Sequence, residues 1–198
     1  MDRHVLDEAL AHDPNPPAVA HGVSILAAGS HGAYRIAMLK SSAVLDLYTE
    51  LRTLAAALNA ADIPYGLAGG LAVSLYTTPR ATEDIDVLVA AADVDRVVHV
   101  AAPLGFRKSG RRIRRANGRI EIQRLVKIDG ADLLPLDLMV IVDPGLRDAV
   151  QGRTEKVIED QRLSVVSVDA LVVLKRLRNS NRDLGDLDAL RDAGLTRD

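Results

Sequence analysis

The chain has 198 residues, 48% of them hydrophobic and 26% charged, with a net charge of −2, an ordinary balance for one domain or a domain with a helical extension. It contains no cysteine, which excludes disulfides, zinc–thiolate centres and cysteine nucleophiles. Aromatic residues at 3% exclude a platform of several stacking rings. No apolar run nears the ~18 residues a membrane span needs and no signal-peptide pattern opens the chain, so the cytoplasm is the expected compartment and no membrane partner is expected.

Residues 1–40 carry Pro14, Pro16, Pro17, Gly22, Gly29 and Gly32, and this punctuation reads as a poorly ordered N-terminal extension. Ser41 and Ser42 offer caps for a helix running to about Ala61, with Val44, Leu47, Leu51, Leu54 and Leu58 at helical spacing. Tyr65 to Ala68 reads as a short strand ending at Gly69-Gly70, and a helix from Leu71 to about Tyr76 follows. Asp84 to Ala90 alternates as a strand. Val94 to Ala102 reads as a helix ended by Pro103 and Gly105.

Arg107 to Lys127 is strongly basic, with Glu121 its only acid. Asn117-Gly118 inside it predicts a hairpin turn. Leu136 to Val142 is the most apolar strand, interrupted by Asp137. Val165 and Val166 suggest a last short strand. Ser167 caps a helix bearing Leu171, Leu174 and Leu177, and Asp183 to Leu190 forms another. Three segments result: the extension at 1–40, a core at 41–145, and a C-terminal helical region at 146–198 that completes a ligand site.

The chemistry concentrates between Gly69 and Asp137. Two glycines between a strand and a helix let the backbone approach a ligand closely, and exposed N–H groups at a helix start favour phosphate. Asp84 and Asp86, two apart on a strand, share a face. Adjacent carboxylates repel unless a cation lies between them, and magnesium is often held by one or two carboxylates plus substrate phosphates. A lone charge in the strand around Asp137 is expensive and becomes reasonable if Asp137 shares the same cations. Three carboxylates can clamp two ions. Arg80, in the loop before the acidic strand, is placed to face this site.

The run Gly66-Leu67-Ala68-Gly69-Gly70, followed by Arg80-Ala81-Thr82-Glu83-Asp84-Ile85-Asp86-Val87 and later by Asp137, resembles the DNA polymerase β-type nucleotidyltransferase superfamily. Within it the chain looks most like the small bacterial AbiEii-like toxins and minimal nucleotidyltransferases. Asp169-Ala170-Leu171-Val172-Val173-Leu174-Lys175 through Arg182-Asp183-Leu184-Gly185-Asp186-Leu187 is similar to their C-terminal helices. The resemblance implies an α/β (α+β) nucleotidyltransferase fold, with a mixed sheet, flanking helices and a C-terminal helical extension.

It also implies that Gly69 and Gly70 hold a nucleoside triphosphate and that Lys175 reaches its phosphates. Asp84, Asp86 and Asp137 would bind two Mg2+ ions, with Mn2+ as a substitute, and Asp137 would help deprotonate the acceptor. One departure is Gly70, where many members carry serine and so a hydroxyl for the phosphate. The implied reaction moves a nucleoside monophosphate to an acceptor hydroxyl and releases pyrophosphate. A toxin-like role would bring transfer RNA as acceptor, met by Arg107 to Lys127 and in particular Arg111, Arg112, Arg114 and Arg115, and an antitoxin protein as partner. Protein hydroxyls and aminoglycosides are the other acceptors. The competing reading is an inactive module that keeps the fold for binding. Lys175, Asp183 and Asp186 each also admit a plain structural reading: a helix-surface lysine, and acids held by intrahelical pairing and the helix dipole.

Overall fold

A computed structural model describes residues 45–196, so the expectations for residues 1–40 and for capping by Ser41 and Ser42 lie outside the described residues. The first helix, α1 (Leu47–Ala60), is instead capped by Asp46, whose side chain accepts from the Thr49 backbone N–H. A carboxylate there satisfies a free helix-start N–H and complements the dipole. Leu51, Leu54, Ala55 and Leu58 form its buried stripe.

β1 (Tyr65–Leu67) runs into α2 (Gly69–Tyr76) with Ala68 as the only intervening residue. The glycine pair therefore opens the helix itself, where the sequence had suggested a turn before it. β2 (Ile85–Val89) is buried throughout, and α3 (Val94–Ala101) follows after one 3-10 turn. β3 (Arg107–Lys108) and β4 (Ile113–Arg115) are short and exposed. Ala116, Asn117 and Gly118 all take positive φ and turn β4 into β5 (Ile120–Asp129), so the hairpin stands where Asn117-Gly118 placed it.

β6 (Asp132–Ile141) begins four residues before the expected Leu136 and pairs with β5 along its whole length. Pro135 hid that first half. Its missing N–H is tolerated because the ladder with β2 begins only at Leu136, leaving one side of Pro135 unpaired. The Asp143-Pro144-Gly145 turn is a one-turn helix, α4 (Pro144–Arg147), capped by Asp143.

The segment read as a helical region first contributes a hairpin to the sheet: β7 (Arg153–Ile158) and β8 (Gln161–Val166). β7 was missed because an edge strand carrying Arg153, Glu155 and Lys156 has no clean apolar alternation, and charges on edges are how sheets avoid further pairing. α5 (Val168–Arg178) starts at the expected Ser167 cap and ends at Asn179 in the left-handed region. α6 (Asn181–Asp192) starts at a capping box between Ser180 and Asp183.

The strands form one mixed sheet in the order β3-β5-β6-β2-β1-β8-β7, with β4 also on β5. β2 and β6 run parallel, with Asp86 directly opposite Asp137. Ile85, Val87, Leu136 and Leu138 are almost fully buried and alternate with those acids, so one face of these strands is core and the other carries the carboxylates. The core is aliphatic, as the low aromatic content requires, with Phe106 its largest fully buried side chain. No helix among the described residues is long and apolar enough to cross a membrane.

Candidate active site

Parallel pairing of β2 and β6 sets Asp86 beside Asp137, and Asp84 enters just before β2. Each of the three offers a carboxylate oxygen, and these oxygens lie within 4.8 Å of one another. Asp86 and Asp137 are buried and Asp84 is partly exposed. The Asp86 carboxyl is pushed up to about 7, first by burial and then by the charges of Asp84 and Asp137. Arg124, paired with Asp137, offsets only part of this negative charge, and a hard divalent cation bound by oxygen would supply more. The residues present therefore fit a metal-binding role.

Gly69 is required by this arrangement. Its φ is +65°, and a β-carbon there would lie 1.8 Å from Asp86 Oδ2, so no side chain fits without moving the carboxylate. At Gly70 a β-carbon would come within 2.8 Å of the Arg80 guanidinium and 2.9 Å of Thr82 Oγ1. Arg80 and Thr82 thus fill the space a serine would use, and Thr82 puts a hydroxyl there, 3.1 Å from Asp84 Oδ1.

Arg80 and Lys175 are placed beside the site, but their charges are engaged. Arg80 makes a two-pronged contact with Asp186, at 2.6 and 2.8 Å. Lys175 is 3% exposed and sits 2.6 Å from Asp186 Oδ2 and 3.3 Å from Asp183 Oδ1, off the line of a directed hydrogen bond. Asp183, fully buried, takes both prongs of Arg178 at 2.7 Å. Burial alone would raise both acids. For Asp183, Arg178 and Ser180 outweigh it; for Asp186, Arg80 and Lys175 do, so both stay below the usual carboxylate range. The two acids tie α5, α6 and the Arg80 loop together. Their basic partners are Arg178, Lys175 and Arg80, all from outside their own helix.

Sequence reasoning missed Arg178 and Arg124. Arg178 follows Lys175 by one helical turn, a spacing that puts both on one face. It lines the same cavity as Asp84, Asp86, Asp137 and Gly69. Arg124 lies opposite Asp137 across β5 and β6 and grips it through two bonds of 2.7 Å.

The basic segment is largely neutralised in place. Lys108 meets Asp95, Arg112 and Arg114 share Glu121, Arg119 meets Asp143, Arg124 meets Asp137 and Lys127 meets Glu50. The sequence counted Glu121 as the only local acid because the other acids come from distant parts of the chain. Arg107, Arg111 and Arg115 are exposed and have no carboxylate partner among the described residues, Arg107 donating to the backbone carbonyls of Ala102 and Phe106.

Two hollows flank the Asp84–Asp86 pair. One is polar and cationic, lined by Gly70, Arg80, Thr82, Arg178, Ser180 and Arg182. The other, of 460 Å³, extends past Asp137 between the β4–β6 face and α5.

Solved structures share this architecture. ANT(2")-Ia superposes with a TM-score of 0.51 at 18% identity, over 73% of this chain and 86% of that one. LnuA, a lincosamide antibiotic adenylyltransferase, superposes with a TM-score of 0.51 at 15% identity, over 75% and 97%. A Thermotoga maritima protein described as a nucleotidyltransferase gives 0.51 at 13% identity, over 73% and 90%. The fold is that of the nucleotidyltransferases. At these identities the likeness is one of fold. No family model matches the sequence, and no curated protein matches it.

Proposed function

We propose that this nucleotidyltransferase-fold protein is an enzyme that moves a nucleoside monophosphate from a nucleoside triphosphate to an acceptor hydroxyl. The observation that carries this reading is the meeting of Asp84, Asp86 and Asp137 within 4.8 Å, beside a left-handed Gly69 that opens α2. Two Mg2+ ions, or Mn2+ in their place, would be held by the three carboxylates. When bound they supply charge neutralisation and Lewis-acid polarisation at the reacting phosphate.

The chain's own groups do the rest. The α2 N-terminus and Arg178, with Arg182 at the rim, favour the β- and γ-phosphates in the cationic hollow. Arg80 and Lys175 hold the floor of that hollow through Asp186. Thr82 supplies a hydroxyl in place of a serine at position 70. Asp137, which lines the other hollow and not the cationic one, accepts the hydroxyl proton.

Two neighbours support a small acceptor: ANT(2")-Ia was crystallised with adenylyl-2"-tobramycin and LnuA with lincomycin. A transfer RNA acceptor and an antitoxin partner rest on the sequence resemblance and on Arg107 to Lys127. The ion pairs that segment makes leave Arg107, Arg111 and Arg115 as its main support. The test is to incubate the protein with each labelled nucleoside triphosphate, Mg2+ and separate acceptor pools, following pyrophosphate release. Asp86→Ala should abolish release while keeping the fold. Equal turnover in variant and parent would remove the assignment.

A further inference from the structure

In-line displacement puts the attacking hydroxyl and the leaving pyrophosphate on opposite sides of the α-phosphorus. With the phosphates in the cationic hollow by Gly70 and Arg178, the acceptor must come from the other side, through the 460 Å³ hollow beyond Asp137. Its volume lies in the usual range for small-molecule sites, about 300–1,000 Å³. Its walls follow from register. Ile113, Ile122 and Met139 are cross-strand neighbours on β4, β5 and β6, Ile120 lies one step along the same face, and Leu174 and Leu177 of α5 close the top.

Its charges are also defined. The acids that line it are Asp84, Asp86, Asp137 and Asp183; the first three would hold the metal ions, and Asp183 belongs to Arg178. No carboxylate among the described lining residues is left for a polycation. No aromatic side chain among the described residues lines it, so there unpaired bases have nothing to stack on. The cations that line it are Arg115, Arg124, Lys175 and Arg178; Arg124, Lys175 and Arg178 are each paired with a carboxylate, which leaves Arg115, with Asn117, as the polar part of the lining.

We infer, resting on the transferase reading above, that the acceptor is a compact, uncharged, hydroxylated amphiphile whose apolar body lies in this hollow, and not a polycation or a polynucleotide. Its hydroxyl oxygen forms the new bond to the α-phosphorus. The bond between that phosphorus and the bridging oxygen breaks, pyrophosphate leaves with the electron pair, and the hydroxyl proton passes to Asp137 and on to solvent.

The probe is octyl β-glucoside below its micelle concentration, offered to the protein with Mg2+ and α-labelled ATP. Bulk transfer RNA and a hydroxylated polyamine are offered in parallel. The glucoside should bind alongside ATP and take the label. Ile122→Glu should weaken glucoside binding at least tenfold with ATP binding unchanged, and Ile122→Val should leave both intact. Displacement of the glucoside by ATP would show that the hollow holds the nucleoside. Label passing to the RNA or the polyamine, or none on the glucoside while ATP binds, would equally overturn the inference. Failure of ATP and Mg2+ to bind the parent, read separately, would instead sink the transferase reading and the inference with it.

Discussion

Arg124 grips Asp137 through two parallel contacts of 2.7 Å, in register across β5 and β6. The guanidinium occupies one side of a carboxylate that the metal ions would share, so it stands in for part of their charge when they are absent. Arg124→Met should therefore have two opposed effects. The metal-free protein should lose about 2 kcal/mol, the scale of hydrogen bonds to a charged group. Mn2+ should bind several-fold more tightly, because the ion no longer competes with the arginine. Urea denaturation and Mn2+ titration check the pair, and an unchanged Mn2+ affinity would show that Arg124 does not compete for Asp137.

Asp86 gives the metal-free protein a pH dependence. Its folded carboxyl titrates at about 7, raised from 3.8. In the unfolded chain it ionises near its ordinary value. Below that value both states are protonated and nothing is lost. Stability then falls as pH rises from about 4 through 7, by on the order of 4 kcal/mol. Saturating Mg2+ should recover more stability at pH 8 than at pH 5. Asp86→Asn should flatten this limb, and melting curves across pH would show whether it does.

The acid limb has the opposite sign. Asp183 and Asp186 are held below the usual range by Arg178 and Arg80, so their stabilisation is complete above about pH 4 and is lost as pH falls through their folded values. Asp186→Leu should cost about 3 kcal/mol by leaving Lys175 buried with one weaker partner. Adding Lys175→Met should recover much of that loss, since a buried pair replaced by apolar groups is often neutral. A double variant no more stable than the single one would mean that the pair sets more than local packing.

Gly69→Ala should abolish tight metal binding with the fold retained. The left-handed backbone costs a β-carbon about 1–2 kcal/mol, and at 1.8 Å the Asp86 carboxylate must move. Mn2+ spectroscopy beside a melting curve separates the effects. Metal binding at the parent's affinity would show that the site tolerates the displacement.

Much of this protein is legible in the chain itself. Strict alternation marked Asp84 to Ala90, the Asn117-Gly118 turn marked the hairpin, Ser167 marked the start of α5, and an acid in the apolar strand at Asp137 pointed to the candidate site. These signals are local, because backbone periodicity and turn chemistry depend on neighbours within a few residues. What only the tertiary structure decided is who meets whom across long separations. Parallel register made Asp86 and Asp137 neighbours. Cross-strand pairing gave Asp137 to Arg124, and helix docking gave Lys175 and Arg80 to Asp186 and buried the lysine that the resemblance has reaching the phosphates. Charge was misread for the same reason: Coulomb attraction acts through space, and Asp95, Asp143 and Glu50 reach the basic segment only after folding.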